Sequence, residues 1–200
     1  MVGYQPTQIR WPENETEFEK KVGILFREVL SDPSIRRLGR RGQKQYGIDL
    51  VGRREGASKR VVGIQCKLKG RGKGLSEDEV KREFSKALKF KPKILEYFIV
   101  TTAPNDTNLD SLALTLAQRQ AKKGREVKFE IWGEGTLSER INEYDAAKNA
   151  FDPGFSPSIQ RQQQQLDTVI AGQANITSAI AAVRAGLEQA PQEVARLRSD

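Results

Sequence analysis

The sequence predicts an α/β fold: one mixed central sheet with helices on both faces, followed by a long helix. Three observations lead there. Between Tyr46 and Leu68 two apolar, β-rich runs flank the polar turn Arg53–Lys59, which is a hairpin pattern. Two later runs, Leu95–Thr102 and Glu126–Trp132, read as strands, and each follows a helical stretch, the arrangement of βαβ crossovers. From about Ser156 glutamines appear and apolar residues recur in steps of three and four.

Taken in order, residues 13–31 read as the first helix, with Phe18, Val22, Leu25, Phe26 and Val29 on one stripe and Asp32-Pro33 as its stop. A short strand is expected near Ile35–Leu38, then a basic loop containing glycines. Ser76 and Glu79 form a capping box that opens a second helix, whose Val80, Phe84, Ala87 and Leu88 face the core. A third helix runs from about Asn108 to Lys123, with Gly124 suited to its C-terminal end. A last helix is expected at Thr136–Asn149, and Asp152-Pro-Gly154 ends the globular part. The order is α-β-β-β-α-β-α-β-α, with a domain at 1–155 and a helical tail at 156–200. In that tail Leu166, Val169, Gln173, Ile176, Ile180, Val183, Leu187 and Ala190 occupy heptad seam positions. A helix over Pro157–Ala190 would be about 50 Å long, and one apolar seam asks for a partner: a second copy, the domain itself or a larger module.

Composition narrows the chemistry. The chain has 200 residues and no histidine, so Ser-His and Cys-His catalysis and histidine metal ligands are excluded. Its one cysteine, Cys66, excludes an internal disulfide framework and a multi-cysteine zinc site. No stretch reads as long and apolar enough to span a membrane, and the N-terminus lacks a signal-peptide pattern. A cytoplasmic location is expected. The formal charge is +8. Residues 156–200 carry Arg161, Arg184, Arg196 and Arg198 against Asp167, Glu188, Glu193 and Asp200, so the whole excess lies in the first 155 residues. A polyanion partner for that domain follows.

The hairpin gathers unusual residues. Alternation places Val62, Ile64, Cys66 and Leu68 on one face, with Gly63, Gln65 and Lys67 on the other. Ile48 and Leu50 are expected to join the apolar face, leaving Gly47, Asp49 and Val51 opposite. A turn centred on Ala57 sets Asp49 against Gln65 and Gly47 against Lys67, with opposed Cβ atoms about 4.5–5.5 Å apart. A carboxylate, an amide and an ammonium then share a patch that Gly47 and Gly63 leave open. The structural alternative is an Asp–Lys pair on a solvated face. Upstream, Arg36, Arg37, Arg40, Arg41 and Lys44 read as a phosphate-positioning loop. Downstream, Lys69, Arg71 and Lys73 lie in a second basic, glycine-rich loop. Glu13, Glu15, Glu17 and Glu19 crowd the start of the first helix, where acids complement the macrodipole; Glu19 differs because it follows Phe18 at the edge of the buried stripe. Cys66, Trp11 and Trp132 read as packing residues.

Glu19 in a first helix, Gly-Ile-Asp49 in one strand and Gln65-Cys-Lys67 in the next, followed by a helix, resembles the PD-(D/E)xK nuclease fold. The set is most similar to the Mrr-like restriction endonuclease branch, where Gln replaces the acid of the Glu-x-Lys element. The resemblance covers roughly residues 13–150. It implies a restriction-endonuclease-like mixed sheet and a metal-dependent endonuclease, with DNA, double-stranded, as partner and a defence effector as setting. By that resemblance Asp49 is the main ligand of Mg²⁺, with Mn²⁺ as a substitute. Glu19 approaches the same ion directly or through water, Gln65 positions it, and the Cys66 backbone carbonyl ligates. Lys67 orients or deprotonates the attacking water, or steadies the phosphate. Glu17 competes with Glu19 for the helix role. The neutral Gln65 favours one metal over two. A catalytically inactive nucleic-acid-binding module on the same scaffold, oligomerised by the C-terminal helix, is the alternative.

Overall fold

The computed structural model describes residues 9–39, 46–70, 72–152, 154 and 157–197, and in the last helix the side chains of 165–185 only. The chain divides into two units, residues 1–155 and 156–200.

The first unit is a five-stranded mixed sheet in sequence order. It comprises β1 (Arg36–Arg37), β2 (Leu50–Arg53), β3 (Val61–Lys67), β4 (Glu96–Thr101) and β5 (Lys128–Trp132). β1, β2 and β3 are antiparallel neighbours, whereas β3, β4 and β5 run parallel. Parallel neighbours need a crossover. α2 (Glu77–Ala87) and α3 (Thr107–Ala121) provide these two, and their buried residues pack in one apolar cluster on the same face of the sheet. The other face is covered by α1 (Glu15–Leu30), α4 (Glu134–Glu143) and α5 (Asp145–Phe151). Covered on both sides, β3 and β4 are buried almost throughout, and apolar residues therefore occur on both faces of each.

Each face has an aromatic anchor. Phe26 of α1 stacks on Trp132 at 4.9 Å and meets Phe98 edge-on at 5.2 Å. Phe84 of α2 lies parallel to Phe129 at 4.5 Å. The stripe that defines α1 is thereby driven against the sheet, and Asn14 caps the helix by accepting from the Glu17 N–H at 2.9 Å. At the other end Ser31 adopts a left-handed conformation (φ 50°). The buried Asp32 then accepts from the Ser34 N–H at 2.9 Å, the Ser34 hydroxyl at 2.6 Å and the Arg53 N–H at 2.6 Å. One carboxylate thus ties the end of α1 to β2.

Several expectations are corrected. The last helix is two, parted at Tyr144, where the backbone is extended; the break lets α4 contact β4 and β5 while α5 turns onto α1. Ile48 does not share the face of Leu50. Tyr46 and Gly47 both take positive φ (54° and 66°), and the chain enters the sheet only at Leu50. Ile48 therefore packs with α2 and β4 residues, on the face opposite Leu50.

The second unit is a single helix, α6 (Pro157–Leu197). Leu166, Val169, Ile176, Ile180 and Val183 are all exposed on it. The expectation that no stretch could span a membrane is corrected here. By length and composition Gln165–Ala185, 21 residues, is long and apolar enough, although Asp167, Gln173, Asn175 and Arg184 interrupt it with groups costly to bury in lipid.

Candidate active site

The hairpin register follows from the pairs Leu50↔Ile64 and Val51↔Gly63. The paired run ends at Leu50↔Ile64, so Asp49 and Gln65 are not a ladder pair; they meet through their side chains. Asp49 is stitched on both sides: its N–H donates to the Ile64 carbonyl at 2.8 Å, and its carbonyl accepts from the Leu38 N–H at 2.7 Å. The backbone that carries the carboxylate is therefore held by its neighbours on both sides. The residue is 8% exposed. Its Oδ2 accepts from the Cys66 N–H at 2.7 Å and from Gln65 Nε2, and Gln65 Nε2 also lies 3.3 Å from the Cys66 carbonyl. The amide nitrogen thus bridges two oxygens, the carboxylate and the carbonyl.

Burial raises the Asp49 pKa most. The Cys66 N–H pulls it back, Glu19 and Glu15 push it up, Lys67 lowers it, and the result is about 6. Glu19 sits on α1 and is itself held by Arg37, whose Nε and Nη2 reach Oε2 at 2.7 and 2.6 Å. Glu17 pairs with Lys21 at 3.2 Å and is not among the largest charges acting on Asp49. Glu15, one turn earlier, does act on it. Cys66 is buried, and burial, then the charges of Asp49 and Glu19, hold its thiol well above the ordinary range. Its side chain belongs to the α1 core.

Lys67 ends β3 with its side chain 23% exposed, and its Nζ lies 3.7 Å from Glu83 Oε1. Glu83, on α2, is a residue that the sequence reading passed over. It is 4% exposed, and Lys86 Nζ sits 3.1 and 3.3 Å from its two oxygens. Burial raises its pKa, and Lys67, Lys86 and Arg82 together outweigh burial, so the carboxyl lies below its usual range. A clue was available: Glu83 directly precedes Phe84, on the inward arc of a helix whose Val80, Phe84 and Ala87 are core.

The patch is less open than expected. A Cβ on Gly63 would fall 2.9 Å from Ile48 Cδ1, and one on Gly47 would fall 2.9 Å from Glu83 Oε2. The two glycines admit protein atoms. The basic residues differ among themselves. Arg37 is paired with Glu19, and Lys69 is paired with Glu79 at 2.6 Å. Neither is a free phosphate contact. Arg36 is exposed and borders a small hollow of about 100 Å³ with Arg53 and Lys91. Lys73 is exposed. Arg40, Arg41, Lys44 and Arg71 lie outside the described residues. A larger cleft of about 530 Å³ opens where β3 exits, between Trp11, Leu68, Lys69 and Thr102.

Among the described residues no three His, Cys, Asp or Glu side chains form a metal-binding cluster. The oxygen donors at hand are the Asp49 and Glu19 carboxylates, the Cys66 carbonyl and the Gln65 amide oxygen. Such a set fits Mg²⁺, which takes oxygen ligands, keeps several waters and is often held by one or two carboxylates. The mutual repulsion of Asp49, Glu19 and Glu15, which helps hold the Asp49 pKa near 6, is what a cation would relieve.

Neither a family model nor a curated protein sequence matches the chain. Among solved structures it is similar to the MspJI restriction endonuclease in complex with a 27-mer oligonucleotide. The identity is 16% over 71% of this chain and 30% of that one, with a TM-score of 0.46. The chain thus spans under a third of that protein's length, the overlap is partial, and the functional reading rests on the chain's own residues.

Proposed function

We propose that residues 1–155 form a metal-dependent DNA endonuclease domain, hydrolysing phosphodiester bonds with low sequence specificity as a cytoplasmic defence effector. The observation that carries the reading is Asp49: a buried carboxylate, its charged form disfavoured, faced by Glu19 and bounded on β3 by Gln65 and Lys67. Asp49 and Glu19 would hold Mg²⁺ or Mn²⁺, with the Cys66 carbonyl and the Gln65 amide oxygen completing the protein ligands. For Gln65 this needs a turn of its amide, whose nitrogen now faces Asp49. When bound, the cation supplies an acidified water and offsets charge on the phosphate. Lys67 directs a positive charge at the same place, where it orients the water or steadies the phosphate. Arg36 and Lys73 would hold the DNA backbone by charge, which positions a duplex without reading sequence.

Plasmid cleavage with Mg²⁺ or Mn²⁺ tests the proposal. Cleavage should vanish with EDTA, and Asp49→Ala and Lys67→Ala should each lower the rate by about two orders of magnitude or more. Cleavage that survives all three changes would sink the assignment. A second reading, a binding module without catalysis, is favoured by the Gln65 nitrogen lying between the two oxygens a cation would need. It predicts salt-sensitive DNA binding with no strand scission in any metal. For α6 we propose self-association through its heptad seam, in a homo-oligomer or a larger assembly.

A further inference from the structure

We propose that Glu83 is a positioning residue, its buried carboxylate anchoring the Lys67 ammonium and bracing the backbone that leads into Asp49. The inference rests on the nuclease reading of Lys67. A carboxylate at 4% exposure is costly unless its charge is answered, and here three cations answer it. Lys86 contacts both oxygens, Arg82 Nε lies 3.4 Å away, and Lys67 Nζ lies 3.7 Å from Oε1. Lys86 and Arg82 are exposed residues of the same helix and fix the carboxylate from outside. Lys67 comes from the sheet, and it is the partner that the carboxylate holds from within.

Glu83 touches the other half of the patch as well. Gly47 packs so closely that an added Cβ would lie 2.9 Å from Oε2 and 3.0 Å from the Glu83 carbonyl. The Gly47 carbonyl accepts from the Tyr97 hydroxyl at 2.8 Å, so that backbone is gripped from β4 and from α2. Asp49 follows two residues later. One side chain of α2 therefore sets the ammonium on β3 and the approach to the carboxylate just ahead of β2. Packing alone gives no reason for a charge at this place, since Val80, Phe84 and Ala87 already bury the helix.

The test uses two readouts on the full chain. The first is the rate of reductive methylation of Lys67, followed by peptide mass spectrometry with no metal or DNA present. The second is plasmid cleavage with Mg²⁺, resolved into kcat and KM. Glu83→Gln should raise Lys67 methylation by about threefold or more, the scale of one lost ion pair. It should lower kcat by about tenfold with KM little changed, because the loss falls on the reacting geometry. Glu83→Asp, which keeps the charge, should recover most of both. Unchanged Lys67 reactivity in Glu83→Gln, or unchanged kcat beside an active wild type, overturns the inference. Should Glu83→Gln fail to fold, the exposed double change Arg82→Ala/Lys86→Ala frees Glu83 for Lys67 and should slow Lys67 methylation; no slowing overturns it equally. A wild type that never cleaves removes the nuclease reading, and the methylation rates then decide the anchoring alone.

Discussion

Asp49 carries a charge that the fold disfavours. Its carboxyl titrates near 6 in the fold against 3.8 ordinarily, first because it is buried and then because Glu19 and Glu15 face it. Between those values the folded chain holds a proton that the unfolded chain has released. This contribution is fully present below about pH 4 and is lost as pH rises through about 6, at a cost of up to about 3 kcal/mol. Asp49→Asn removes the charge and keeps an oxygen that can accept from the Cys66 N–H. It should therefore melt above the wild type at pH 8, with the gap closing toward pH 4; equal melting at both values would show that the carboxylate is not strained. On the proposed reading Mg²⁺ relieves the same repulsion. It should raise the wild-type melting temperature and leave Asp49→Asn unmoved.

Among the elements, the junction of α1 with the sheet is the most sharply specified. Asp32 accepts from two backbone N–H groups and a hydroxyl. Burial would raise its pKa, but those bonds from Ser34 and Arg53 outweigh it and lower the value. Removing the carboxylate strands the Ser34 and Arg53 donors near the core, so Asp32→Ala should cost about 1–3 kcal/mol. The check is urea unfolding at pH 7, with an unchanged m-value showing that only the native state was weakened. Phe26 on the same helix fills the space between Phe98 and Trp132, and Phe26→Ala should cost about 3–5 kcal/mol. On the proposed reading the site hangs from this helix through Glu19, so cleavage by either variant should fall in proportion to its folded fraction.

At the scale of the whole molecule, the charge and the tail act separately. The +8 excess belongs to the first 155 residues, and two of its proposed contacts, Arg37 and Lys69, are already neutralised within the fold. On the proposed reading DNA affinity should fall steeply with salt, and Arg36→Ala should reduce the slope of log K against log salt by about 1. Arg37→Ala should instead disturb Glu19. In the tail helix Leu166, Val169, Ile176, Ile180 and Val183 are exposed, all within the described side chains of 165–185. Light scattering should give a mass above one chain for residues 1–200 and a single-chain mass for 1–155; equal single-chain masses would rule out self-association through α6.

Local pattern determined α1, α2, α3 and the register of the hairpin from Leu50 onward, since side-chain alternation and helical spacing act over a few residues and leave their period in the sequence. It also brought Asp49 near Gln65, although side chains and not the strand ladder join them. Tertiary structure decided what those residues touch. Ile48 changed face once two left-handed residues preceded it. Gly47 and Gly63 became contact points for Glu83 and Ile48, and Arg37 and Lys69 found acids on other elements. Glu83 entered the site only because α2 folds back over the sheet end. The reason is physical: a charge has no period, and its partner is set by packing between segments far apart in the chain, which no short window of sequence contains.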